Sequence, residues 1–304
     1  MEQTTETIKQ AIDDAQDVDW YEKFEAVPGS GVYTPGWNDR TDGYVGRLKF
    51  LGMKPSDFEG LHVLEIGSYS GSWTFLMEEW GASVTAIDPY DPDKTGFSLI
   101  HKLRGSKIRH FQCSVYDVSP NFLGHFDLVS FYGVFYHLKH PLLAFERLAS
   151  CLKANGMIIG AGTSAHSWFH NADPSCGVGV DLRYVTKDNY TGDPKKFTIA
   201  TLHGLPIAAY ADRQFLKDHT NWFMPNQALL QRWLEDTGFE VQKIRTFTTP
   251  LLRDWNDSDI ERSSTSFVAK KTGEPRPEYV NPHMVPYNVG STTPFSELEK
   301  RRRL

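Results

Sequence analysis

Glu65, Gly67, Gly71 and Asp88 are the residues whose types and spacing first point to chemistry. They lie in Val63-Leu64-Glu65-Ile66-Gly67-Ser68-Tyr69-Ser70-Gly71 and, 23 positions beyond Glu65, in Ile87-Asp88-Pro89. A glycine-bearing turn after a strand lets a ligand approach the backbone closely. The helix start behind such a turn offers unpaired N–H groups to a carboxylate or phosphate. The dinucleotide fingerprint G-x-G-x-x-G would need glycine at 67, 69 and 72; the chain has Gly67, Tyr69 and Ser72, so two of three positions fail. What stands is E-x-G-x-x-x-G followed by an acidic residue. Metal chemistry has no comparable pattern. Cys113, Cys151 and Cys176 form no CxxC pair or disulfide framework, and His166 and His170 have no evident third ligand, so no metal is expected.

The elements that would position these residues follow from hydrophobic periodicity. His62–Ile66, Ser83–Ile87, Asp127–Tyr132 and Gly156–Gly160 are short apolar runs ending in turn residues. Residues 141–153 carry Leu142, Leu143, Phe145, Leu148, Ala149 and Leu152 at helical spacing, with Pro141 in the first turn and Asn155-Gly156 as the stop. Trp73–Trp80 and Gln227–Thr237 read as further helices, the latter closed by Gly238. Apolar strands alternating with amphipathic helices predict an α/β fold with a parallel sheet covered on both faces. The last strands, Glu240–Thr248 and Thr265–Lys270, are joined by a short polar stretch and are expected to form an antiparallel pair. The organisation predicted is an N-terminal cap (1–60), a core domain (61–271) with an insert or lid at about 164–225, and an extended tail (272–304). That tail holds five of the 17 prolines and ends Lys300-Arg301-Arg302-Arg303-Leu304.

Composition bounds the class. The 304 residues are 40% apolar and 23% charged, which supplies a buried core and excludes a disordered chain. A formal net charge of −6 supplies no broad positive field for nucleic acid. The polar, acidic start Met1-Glu2-Gln3-Thr4-Thr5-Glu6 is unlike a secretory signal, and no apolar run approaches 18 residues. A cytoplasmic, membrane-free protein is the expectation.

The E-x-G-x-x-x-G turn, Asp88, Phe126-Asp127-Leu128-Val129 and Leu152-Lys153-Ala154-Asn155-Gly156 together resemble the class I S-adenosylmethionine (SAM) methyltransferases, in the right order over about residues 61–271. The resemblance implies a Rossmann-like sheet of seven mostly parallel strands with helices on both faces, SAM as cofactor and S-adenosylhomocysteine (SAH) as product. Gly67, Ser68, Tyr69 and Gly71 would cradle the methionine portion, with Glu65 organising the loop. Asp88 would accept hydrogen bonds from the ribose, and Val115 and Tyr116 would flank the adenine. Tyr132 would lie near the sulfonium. Tyr69 stands where the superfamily usually has glycine, so the loop is expected either to be displaced or to use Tyr69 as a cover. Each assignment has a plain alternative: Glu65 as a helix cap, Asp88 as a turn residue before Pro89, and Val115, Tyr116 and Tyr132 as core.

Gly36-Trp37-Asn38-Asp39-Arg40, Gly133-Val134-Phe135-Tyr136-His137 and Asn221-Trp222-Phe223-Met224-Pro225-Asn226 narrow the likeness. They resemble the group that includes tRNA wobble-uridine carboxymethyltransferases and related small-molecule methyltransferases. In that group the Trp37 segment folds over the SAM pocket and the Tyr136-His137 stretch lines the reaction centre. Aromatic faces such as Trp37, Tyr132, Phe135, Tyr136 and Trp222 suit a cationic sulfonium. His137 is the best-placed general base if the nucleophile is an amine or hydroxyl, its alternative role being to fix the loop after it. A thioether nucleophile would need only proximity and desolvation.

Arg183, in Asp181-Leu182-Arg183-Tyr184, and Arg40 are candidate anchors for a substrate carboxylate, with Tyr184, Asn221 and Trp222 beside them. The first reading is therefore methyl transfer from SAM to a small polar, amino-acid-like metabolite, methionine S-methylation being one concrete case. The second is tRNA wobble-uridine modification, and the third a catalytically silent partner subunit with the same fold. A homodimer is the expected assembly.

Overall fold

The computed structural model describes residues 4–39, 43–164, 206–210, 220–249, 262–273 and 275. The apolar runs become strands because parallel pairing buries them on both faces. In chain order the cap supplies α1 (Thr5–Asp14), β1 (Glu22–Lys23), β2 (Asn38–Asp39) and α2 (Gly43–Leu51). The core then runs through β3 (His62–Ile66), α3 (Ser72–Glu79), β4 (Ser83–Asp88), α4 (Phe97–Arg104) and β5 (Arg109–Gln112). It continues with α5 (Pro120–Leu123), β6 (Phe126–Tyr132), α6 (Pro141–Cys151) and β7 (Leu152–Ser164). The last elements are β8 (Ala208–Tyr210), β9 (Phe223–Pro225), α7 (Gln227–Asp236), β10 (Phe239–Thr249) and β11 (Arg262–Lys271).

Seven strands form one sheet in the order β10-β11-β7-β6-β3-β4-β5. The strands from β7 to β5 are parallel, and β11 runs antiparallel to both β7 and β10. This is the α/β, Rossmann-like sheet expected, antiparallel final pair included. The chain winds outward from β3 through β4 to β5, then returns to β6 on the other side of β3. That reversal opens a crevice at the carboxyl ends of β3 and β6, where ligands bind in such sheets.

Both faces of the sheet are covered. One carries Phe131, Phe145, Leu148, Leu234 and Phe267, packed with α6 and α7. The other carries Phe58, Trp73, Phe75, Phe97 and Ile100, packed with α3, α4 and the cap residues Ile8, Ile12 and Phe24. The cap therefore shares a core with the sheet.

Strand β7 extends beyond the expected 156–160 at both ends, and β11 starts three residues before the expected Thr265. Helix α6 stops at Cys151, not Lys153, because buried Leu152 already pairs with Phe126 in the sheet. The register then shifts before Met157 pairs with Leu128, and Asn155, at φ 63°, and Gly156 make the excursion between. Asn155-Gly156 thus serves a bulge rather than a helix stop. The rest of the C-terminal tail beyond residue 275, and most of the expected insert, lie outside the described residues.

Candidate functional site

The turn after β3 is built by left-handed backbone. Gly67 has φ 78° and Gly71 φ 90°, conformations that glycine adopts without strain. A Cβ on Gly67 would come within 2.7 Å of the Val134 side chain, and one on Gly71 within 2.5 Å of Phe75. Between them Tyr69 takes φ 42° with no glycine to ease it, and its backbone N–H donates to Asp88 Oδ2 at 2.9 Å. That bond compensates for the strained backbone. The Tyr69 hydroxyl donates to Asp19 of the cap at 2.8 Å. Burial, and after it the bond to Asp19, raises the Tyr69 pKa.

Asp88 ends β4 and is almost fully buried. Its Oδ1 accepts from the Tyr90 N–H at 2.9 Å, so the two oxygens each take one backbone donor and keep capacity for another. Desolvation raises its pKa against those two bonds, with a smaller contribution from the Glu22 carboxylate. Glu65, one residue before the end of β3, is 2% exposed. Its Oε2 has no hydrogen-bond partner, and the Ser130 side chain is its hydrogen-bonding neighbour. Burial holds its pKa well above the ordinary carboxylate range, and the Glu22 and Asp88 charges push it further. Ser130 is fixed in turn by the indole N–H of Trp73 at 2.8 Å. In the turn itself, buried Ser70 Oγ also lacks a partner. Ser68 Oγ lies 3.2 Å from His110 Nε2, and burial pushes the His110 pKa down to about 4, so this ring is neutral near pH 7.

A run of rings leads outward from the turn, whereas Phe135, expected to face the sulfonium, is fully buried in the core. Trp37, 68% exposed, meets Tyr21 edge-on at 5.0 Å; Tyr21 meets Tyr69 at 5.6 Å, and Tyr69 meets Tyr90 at 5.6 Å. Trp37 is therefore two rings removed from the glycine turn. Tyr132, ending β6, packs against Trp73 at 5.5 Å. Val115 lies in the core, and the half-buried Tyr116 packs against it, its hydroxyl accepting from the His140 N–H at 3.0 Å.

A second group of the expected site residues sits on the turn after β6. The Tyr136 and His137 rings are 4.1 Å apart, and His137 Nδ1 lies 2.7 Å from Thr220 Oγ1. The Trp222 N–H donates to the Tyr136 carbonyl at 2.8 Å, so residues 220–222 dock on this turn. Asn221 is buried, and the Lys139 ammonium lies 5.4 Å from the Trp222 ring centre. Tyr136 finds room because Gly162 on β7 has no side chain; a Cβ there would come within 2.9 Å of that ring. The structure thus gathers Glu65, Gly67, Ser68, Tyr69, Gly71 and Asp88 around one turn, and Tyr136, His137, Asn221 and Trp222 around the next. Arg40, Arg183 and Tyr184 lie outside the described residues.

Sequence reasoning missed the cap's contribution. Glu22 Oε2 accepts from the Ser72 N–H at 3.1 Å, and Oε1 accepts from the Tyr44 hydroxyl at 3.1 Å. Asp19 and Thr220 were also unmarked. No motif surrounds these residues, and their partners are remote in sequence.

The residues present fit a SAM-like cofactor. Two orphaned buried oxygens, two glycines that leave room where a Cβ would collide, and a carboxylate with spare acceptor capacity meet at one turn. Among the described residues no three His, Cys, Asp or Glu side chains are grouped to hold a metal ion, and no helix is long and apolar enough to cross a membrane.

Comparison with known proteins gives concordant matches. A family model described as a methyltransferase domain matches residues 37–244. A tRNA U34 carboxymethyltransferase of Helicobacter pylori (strain Shi470) is 24% identical over 213 residues, 68% of each chain. One from Trichodesmium erythraeum (strain IMS101) is 20% identical over 229 residues, covering 75% of this chain and 56% of that relative. This chain therefore spans little more than half the length of the latter. A ubiquinone biosynthesis O-methyltransferase of Xanthomonas campestris pv. campestris (strain B100) is 32% identical over 113 residues, 37% of this chain and 46% of that one. Among solved structures, the N-terminal domain of EvdMO1 in the presence of SAH and D-fucose superposes with a TM-score of 0.52 at 15% identity, covering 88% of this chain and 96% of that one. At that identity the likeness concerns the fold.

Proposed function

The chain belongs to the methyltransferase-domain family, with the class I fold of SAM-dependent methyltransferases, and from that premise we propose that it moves the methyl group of SAM to a small polar, amino-acid-like acceptor. The observation that carries the donor half is the Tyr69–Asp88 bond: it holds a buried carboxylate beside a glycine turn at the switch point of the sheet.

When bound, SAM supplies an electrophilic methyl on a cationic sulfur. Asp88 has acceptor capacity for the ribose hydroxyls, and the turn from Gly67 to Gly71 admits the amino-acid end. Glu65 and Ser70 offer the acceptors that the fold leaves without partners. Tyr132 and Tyr136 present aromatic faces suited to positive charge, on the order of 0.5–2 kcal/mol each. His137, its Nδ1 fixed by Thr220, takes the proton when the nucleophile is an amine or hydroxyl. Where it is a thioether, the site contributes alignment and exclusion of water. Arg40 and Arg183 remain the proposed anchors for an acceptor carboxylate.

A second reading, carboxymethylation of a tRNA wobble uridine, is favoured by the likeness to relatives of that name. The net charge of −6 weighs against a tRNA-binding face, since affinity for RNA rests largely on neutralising phosphates. The test is SAH release from SAM across a panel of amino acids and related metabolites, methionine included, with unmodified tRNA as a parallel arm. Turnover confined to the tRNA arm would replace the first reading with the second. Absence of SAM binding at millimolar concentration would favour a silent partner subunit.

A further inference from the structure

We infer that Glu22, contributed by the cap outside the core sheet, is a positioning residue that makes the donor pocket select for positive charge and so favour SAM over SAH. This rests on the SAM-dependent reading above. The Glu22 position is a built one. Its carbonyl accepts from Thr34 Oγ1 at 2.7 Å, and β1 pairs Glu22 with Asn38 of β2. Gly36 packs so closely that a Cβ there would lie 2.2 Å from the Glu22 carbonyl oxygen. The side chain is 8% exposed and is held by the Tyr44 hydroxyl and the first N–H of α3.

A carboxylate is costly to bury unless a cation or several donors compensate it. Here two neutral donors hold Glu22, and its charge is felt at both Glu65 and Asp88. Among the described residues none of these three carboxylates forms an ion pair, and the 98%-buried Glu65 keeps one oxygen without a hydrogen bond. Buried carboxyl groups around one turn, with no cation paired to them among the described residues, suit a ligand bearing positive charge, which would draw Glu65 and Asp88, both raised by burial, toward their ionised forms. SAM would bring a sulfonium, an ammonium and a carboxylate, a net positive charge. Transfer bonds the methyl carbon to the acceptor's lone pair as the S–CH3 pair returns to sulfur, so SAH would keep only the ammonium and the carboxylate, which cancel. Loss of the sulfonium charge leaves the carboxylates under-compensated, which promotes release of the product.

The experiment is calorimetric titration of the wild-type chain, Glu22→Gln and Glu22→Asp with SAM and with SAH, alongside thermal melting. Glu22→Gln keeps the shape and removes the charge; Glu22→Asp keeps the charge and shortens its reach. Wild type and Glu22→Asp are expected to bind SAM more tightly than SAH. Glu22→Gln should lose roughly tenfold in SAM affinity, with SAH changed by less than about twofold, as expected for one charge acting at pocket range. An unchanged SAM-to-SAH ratio in Glu22→Gln overturns the inference. So does an equal loss of both ligands in both variants, which makes Glu22 a scaffold of α3. Failure of the wild-type chain to bind either ligand sinks the SAM-dependent reading itself, and the inference with it.

Discussion

On the proposed donor side, Tyr69 meets Asp88 across 19 residues at the ends of two adjacent strands; on the proposed acceptor side, His137 meets Thr220 across 83 residues, from a turn to a distant segment. The donor turn is framed by backbone donors and by glycines with almost no free space. The other turn depends on a segment docked from elsewhere, with open space at Gly133 itself, although Gly162 beneath Tyr136 is as tight as the glycines after β3. A Cβ on Gly133, at the acceptor turn, would find its nearest neighbour at 3.9 Å, whereas one on Gly71 would meet Phe75 at 2.5 Å and Phe97 at 2.9 Å. The contrast suits a site with one fixed cofactor and an acceptor that differs among proteins of this fold.

The sharpest way to break this comparison is a pair of glycine substitutions. Gly71→Ala forces a side chain onto φ 90° and into two rings, and is expected to cost about 2–4 kcal/mol of stability. Gly133→Ala bears only the strain of φ 75°, about 1 kcal/mol. Urea denaturation of both variants measures the gap, and equal losses would mean that the two turns are equally tight.

Next is the ligand contrast. Asp88→Ala removes the carboxylate anchored by Tyr69 and Tyr90 and should weaken SAM binding by about 1–3 kcal/mol. His137→Ala should leave SAM affinity within about twofold. Unchanged affinity in Asp88→Ala would remove the ribose assignment.

Charge sharpens the same division through pH. Glu65 and Asp88 both have raised pKa values in the free protein, chiefly from burial. A cationic ligand lowers them, so SAM binding is expected to release protons, and affinity should rise with pH until both carboxylates are ionised in the free protein. Titrations in buffers of differing ionisation enthalpy count those protons; uptake instead of release would contradict the arrangement. For folding the sign is opposite. A carboxyl whose folded pKa exceeds its unfolded value binds more protons when folded, so stability falls as pH rises through the window above the ordinary value of 4.5 for Glu65. Glu65→Gln should therefore gain stability relative to the wild type as pH rises above that window, while losing SAM affinity.

The same division decided what could be read from the sequence. Strand ends β3, β4 and β6 carry continuous apolar runs, and a glycine turn followed by an acid one strand later is a pattern of spacing. Glu65, Gly67, Gly71 and Asp88 were legible for that reason. Glu22 was not: it sits in a two-residue strand, and its partners Tyr44 and Ser72 are 22 and 50 residues away. Burial of a lone glutamate leaves no periodic trace. Thr220 is hidden in the same way, brought to His137 only by docking of residues 220–222. The early end of α6 was missed because sheet pairing of Leu152 overrode the local stop at Asn155-Gly156.

The smallest expected effect bears on the acceptor atom. Thr220→Val keeps the shape of the side chain and removes the hydroxyl at His137 Nδ1. If His137 removes a proton, its ring must be oriented, and loss of that contact should lower turnover several-fold, within about 1 kcal/mol, with SAM affinity unchanged. The fall should be accompanied by an altered pH profile of kcat, because the hydroxyl also influences the ring's protonation. With a thioether acceptor no proton moves, and Thr220→Val should then leave both kcat and its pH profile as in the wild type. His137→Ala gives the bounding case: near-complete loss at neutral pH for an amine or hydroxyl acceptor, partial turnover for a thioether. A full effect of His137→Ala combined with none from Thr220→Val would mean that the ring acts without being held, and that the acceptor turn is positioned by Tyr136 and Trp222 alone.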